Sequence, residues 1–122
     1  LSSADLTGDA LSLSTTATLT KAGTVTGLDQ FTGIARKTFS STSQVTLIAK
    51  GDYTDDRAHK VYLKNTSTVA TENLVVTIES QLLGRLYAGD WALLPFNGDQ
   101  DIKITPSVST AMTVEYAVIY EA

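Results

Sequence analysis

Cysteine is absent from these 122 residues. Its absence excludes disulfides, thiolate nucleophiles and cysteine–metal sites together, and such a chain is expected to fold equally well in reducing or oxidising surroundings. Histidine occurs once, as His59. A Ser–His–Asp triad would depend on that single imidazole, and no Gly-x-Ser-x-Gly nucleophile elbow accompanies it. Histidine-based metal binding lacks partner ligands, so His59 reads as a structural residue. Long apolar runs are also missing. The run at residues 91–95 is far shorter than the ~20 residues of a membrane helix. Leu1 opens a polar stretch without the basic start and apolar centre of a signal peptide, and the lack of an initiator Met points to trimming or to a beginning further upstream. Charged residues are scarce, at 18% against about 25% in an average domain.

Other chemistries fail on spacing. The glycines are scattered, with no Gly-x-x-x-x-Gly-Lys loop to cradle phosphate. A pI near 4.7 disfavours nucleic acid as a partner. Asn97, Asp99 and Asp101 have the alternate-oxygen spacing that opens a calcium loop. Ile102 then stands where that loop needs Gly, and Val108 where it needs a bidentate Glu. Asp52, Asp55 and Asp56 form a second oxygen-rich loop, crowded by Arg57 and Lys60. Paired carboxylates for sugar hydrolysis would need a deep aromatic cleft, and the few aromatics here are expected in the core. The reading is therefore a non-enzymatic chain with no cofactor, metal or membrane span. The Asn65-Thr66-Ser67 glycosylation pattern has meaning only in a secretory pathway.

What is abundant is serine and threonine, about a quarter of the chain. Threonine is β-branched and favours strands; serine favours turns. Hydrophobic content, 43%, is near the globular norm of about 45–50%, and the length suits one domain.

Period-two alternation runs through the chain. It predicts strands near residues 11–19, 31–39, 44–50, 59–65, 72–80, 101–105 and 113–121, and residues 85–96, rich in large apolar residues, complete a count of about eight. In 59–65, Val61 and Leu63 share one face, with Lys60, Tyr62 and Lys64 on the other. Both faces of 113–121 carry apolar groups, which places that strand centrally in its sheet. Asn97-Gly98 signals a hairpin, and one turn of helix fits residues 80–86. The expectation is an all-β, antiparallel, jelly-roll-like sandwich of about eight strands over residues 11–122, with residues 1–10 as a flexible arm. Trp91 is expected in the core beside Leu93 or Leu94 and Phe96. The alternative is an exposed ring that stacks on a sugar or plugs a neighbouring subunit.

The net charge of −4 is unevenly spread. Residues 1–35 hold one Lys against three Asp, residues 36–64 six basic groups against three acidic, and residues 65–122 two against seven. Chance and solvated faces account for this most simply. A sharper reading is a basic surface meeting an acidic one between copies.

The run Gly89-Asp90-Trp91-Ala92-Leu93-Leu94-Pro95-Phe96-Asn97-Gly98, followed by Asp99-Gln100-Asp101-Ile102 and later Val114-Glu115-Tyr116, resembles small virion proteins of tailed bacteriophages. Val61-Tyr62-Leu63-Lys64-Asn65-Thr66 is similar to a strand of the same proteins. The resemblance covers roughly the second half of the chain and rests on strand composition. It implies a structural virion protein made in the host cytoplasm, most simply a capsid decoration or cement protein binding the head in many copies. A tail or fibre module and a carbohydrate-binding sandwich are the alternatives. The implied partners are the major capsid protein, whose outer surface is expected to be acidic, and further copies of the chain. The candidate contacts are Leu1 and Leu6 on the arm and Arg36, Lys37, Lys60 and Lys64 in the basic region.

Overall fold

A computed structural model describes residues 14–16, 18, 21–23 and 27–122. The arm at 1–10, and with it Leu1 and Leu6, lies outside the described residues, as does most of the strand expected at 11–19. Ser14, Thr15, Thr16 and Thr18 are described; they are exposed and belong to no strand.

Among the described residues nine strands follow in order: β1 (Gln30–Phe31), β2 (Ala35–Phe39), β3 (Val45–Ile48), β4 (His59–Asn65), β5 (Asn73–Ile78), β6 (Gln81–Tyr87), β7 (Trp91–Phe96), β8 (Ile102–Pro106) and β9 (Met112–Tyr120). No helix of the described residues is long and apolar enough to cross a membrane. Every pairing is antiparallel. β1 and β2 both run along β9, so they act as one broken strand. The first sheet is then β1/β2-β9-β4-β7 and the second β3-β8-β5-β6. From β2 onward the chain changes sheet at each connection except the β5–β6 hairpin. That alternation is the eight-stranded jelly roll, as expected from the strand pattern.

The core lies between the sheets. Val61 and Leu63 of β4, Leu74 and Val76 of β5, Ile102 and Ile104 of β8 and Val114 and Val118 of β9 are buried there. In each strand these are alternate residues, because successive side chains point to opposite faces. β9 is central, between β1/β2 and β4, as its two apolar faces require.

Several expectations are corrected. Residues 80–86 do not turn helically; they form β6, paired with β5. The hairpin turns on Glu79 and Ser80, where Glu79 takes a left-handed φ of 55°. Its N–H donates to the Asp101 carbonyl at 2.9 Å, and its carboxylate accepts from Asp101 N–H at 2.9 Å. Leu83 is an extra residue at a bulge, which breaks strand periodicity and mimics a helical pattern. Asn97-Gly98 is not a hairpin, since β7 and β8 belong to different sheets. Gly98, at φ 94°, crosses so close to the β3–β4 loop that a Cβ would sit 2.5 Å from the Thr54 carbonyl oxygen. In β3 a bulge at Leu47 breaks the alternation expected over 44–50 and leaves Ile48 buried. The strands expected over 31–39 and 85–96 are both split, the first between β1 and β2, with consequences for the site, and the second between β6 and β7 of different sheets.

Candidate interaction surface

The outer face of the first sheet carries the largest exposed side chains of that sheet. Cross-strand register places Phe31, Ile119, Lys60 and Pro95 in one row. Ala117, Tyr62 and Leu93 form the next. Arg36, Glu115, Lys64 and Trp91 form the third. Phe31, Ile34, Trp91 and Leu93 are 60%, 64%, 65% and 54% exposed. Phe31, Ile34, Tyr62, Leu93, Ala117 and Ile119 line an open trough of about 280 Å³.

The break between β1 and β2 builds this face. Three residues, Thr32 to Ile34, oppose two on β9. Gly33 supplies the left-handed φ of 78° that a glycine bulge uses. Thr32 holds the junction: its N–H donates to the Val118 carbonyl at 3.0 Å, and its Oγ1 accepts from Val118 N–H at 2.9 Å. The extra residue changes the phase, so Phe31 before the bulge and Ile34 and Arg36 after it all face outward. Regular alternation from Phe31 would have turned Ile34 and Arg36 away.

β7 supplies the opposite side. Ala92, Leu94 and Phe96 pair with Leu63, Val61 and His59 of β4 and take the inward phase. Trp91 and Leu93 are therefore outward. Trp91 is not a core anchor, contrary to expectation; Phe96 fills the core. A run as apolar as 91–96 hides its phase, and only pairing with β4 fixes it.

Of the basic candidates, the fold brings Arg36, Lys60 and Lys64 onto this face. Lys37 takes the other phase of β2, opposite Val114. Arg36 does not stand as a free cation: its Nη2 and Nε donate to Glu115 Oε2 at 3.0 and 3.2 Å. Tyr62 donates its phenol to Glu115 Oε1 at 3.2 Å. Burial, then that hydrogen bond and the Glu115 charge, raise the Tyr62 pKa above its ordinary value. Lys60 and Lys64 flank the trough.

His59 is fully buried. The Thr54 carbonyl can only accept, so His59 Nε2 donates to it at 2.8 Å, and Nδ1 accepts from Glu121 N–H at 3.1 Å. Both ring nitrogens are thereby engaged by backbone. Tyr53, Phe96 and Tyr120 pack around the ring. Glu121 is buried too, with Arg57 Nε 4.0 Å away and Gly27 N–H at 3.4 Å. Burial is the largest cause of the raised Tyr53 pKa. These interactions tie the end of β9 to the β3–β4 loop.

Three of the calcium-like side chains accept from backbone. Asn97 Oδ1 accepts from Asp99 N–H at 3.0 Å, Asp101 Oδ1 from Lys50 N–H at 2.8 Å and Asp52 Oδ2 from Ala49 N–H at 3.0 Å. Among the described residues, no three acidic, histidine or cysteine side chains gather as a metal site. Asn65 is fully buried, and its amide donates to the Leu86 carbonyl at 2.9 Å and accepts from Ser67 N–H at 3.0 Å. The glycosylation pattern therefore has no accessible acceptor nitrogen in the folded chain.

No protein-family model matches this chain, and a search of curated proteins finds no match.

Proposed function

We propose that the chain is a non-enzymatic structural protein of a virus particle, most specifically a capsid decoration protein that binds the head of a tailed bacteriophage in many copies. The carrying observation is the outer face of the first sheet: four large apolar side chains more than half exposed, flanked by lysines, on a β-sandwich. Contiguous exposed apolar patches of this kind mark interaction sites. The jelly roll recurs among viral capsid domains, and the strand likenesses in the second half of the chain point the same way. Many copies let individually weak contacts hold a shell together. Electron microscopy of particles carrying a gold-labelled antibody tests the placement. Label on the head supports decoration; label on the tail favours a tail or fibre module.

A second reading rests on Trp91. An outward indole beside Leu93 offers a flat surface to a sugar ring, and jelly rolls also occur in lectins. A glycan array in which Trp91→Ala abolishes the signal supports it. Binding that is absent, or indifferent to Trp91, removes it.

A further inference from the structure

We infer that the occupant of the outer face of the first sheet is the same face of a second copy, related by a two-fold axis parallel to β4 and β9 and passing between them. The inference rests on reading that face as a docking surface, and it names the partner.

The register carries the argument. Such an axis exchanges β9 with β4, and β1/β2 with β7. In the third row, Glu115 then lies over Lys64 of the second copy, and Arg36 over Trp91 of the second copy. In the middle row Ala117 meets Tyr62, and Ile34 meets Leu93. In the first row Phe31 meets Pro95, and the Lys60 stem covers Ile119, leaving its ammonium to reach solvent at the sheet end. Ile34, Leu93, Phe31 and Pro95 find apolar partners, the carboxylate finds an ammonium, and the guanidinium finds the face of an indole, a favourable cation–π pair. Every contact occurs twice, as an isologous interface requires. A two-fold axis perpendicular to the strands would instead set Lys64 against Lys60. Sheets that pack face to face stay within about 30° of parallel, so the rows remain matched near the centre.

The area also suffices. Aromatic side chains bury roughly 150–250 Å² each, so Phe31 and Trp91 together expose on the order of 250 Å². Ile34, Leu93, Tyr62, Pro95 and the lysine stems bring each face to roughly 500–600 Å², and two faces pass the ~1,000 Å² of a specific interface.

Sedimentation velocity on the full chain over a concentration series tests this, with circular dichroism as the check on folding. The wild type should show a monomer–dimer equilibrium. Leu93→Asp should raise the dissociation constant by roughly 30-fold or more, as for a central contact. Lys64→Glu and Glu115→Lys should each weaken the homodimer, because each sets like charges across the axis. Their equimolar mixture should recover a dimer. In the mixed pair the unchanged Glu115 of the first variant faces the unchanged Lys64 of the second. The two substituted side chains face each other as well, again carboxylate against ammonium. A wild type that stays monomeric overturns the inference. So does a dimer indifferent to Leu93→Asp, or a mixture no more associated than its separate folded components. A dimer that behaves as described but is absent from particles would instead count against the virion reading alone.

Discussion

His59 and Tyr62 share β4 but take opposite phases of it: one is locked inside, the other titrates near the surface. Replacing His59 by Leu leaves Glu121 N–H unpaired in a buried site and strips the Thr54 carbonyl of its partner. A buried unsatisfied group costs about 1–3 kcal/mol, so His59→Leu should lose about 1–4 kcal/mol in urea unfolding. Tyr62 should ionise above the ordinary tyrosine value of about 10, and Glu115→Gln should bring it part of the way back, as read by ultraviolet difference titration. A phenol whose pKa is raised by folding stabilises the fold fully below its unfolded value. That contribution fades as pH climbs through the raised value, so alkaline stability should fall less steeply in Tyr62→Phe. The structural role of His59 was legible from its solitude in the sequence. Its bonding partners were not, because Thr54 and Glu121 meet it only through the fold.

At the scale of elements, phase decides which residues are core and which are surface. β4 and β9 alternate cleanly between apolar and mixed positions, so their faces could be read directly. β6 and β7 could not be read this way. The Glu79 turn carries no glycine or Asn-Gly signal, Gly84 beside the bulge at Leu83 is a lone glycine that sets no register by itself, and the apolar run of β7 has no polar phase to mark its outside. The exposed Trp91 follows from that. Trp91→Ser should change stability by no more than about 0.5 kcal/mol, whereas Ile104→Ala, fully buried, should cost about 2–5 kcal/mol. Equal losses in chemical denaturation would place Trp91 in the core after all. Gly33 tests the bulge. A Cβ there meets nothing within 4 Å, so Gly33→Ala should cost only its left-handed backbone, about 1 kcal/mol.

For the whole molecule, the jelly roll was legible as a strand count and an alternation pattern, but strand order needed long-range pairing. The basic cluster was legible only as a stretch of sequence. Folding separates it: Lys60 and Lys64 flank the apolar face, Arg36 is held by Glu115, and Lys37 takes the other phase of β2. If two copies pair through that face, Lys64→Gln should weaken self-association by removing the contact with Glu115 of the second copy, and Lys37→Gln should change it little. Binding assays at low salt, where surface charges are least screened, separate the two.

Cryo-electron microscopy of the intact particle asks the central question most directly, because it locates both the domain and its contacts. Density for the jelly roll is expected on the head, with Phe31, Ile34, Trp91 and Leu93 covered by protein. A domain seated elsewhere, or one on the head with that face open to solvent, would contradict the proposed role.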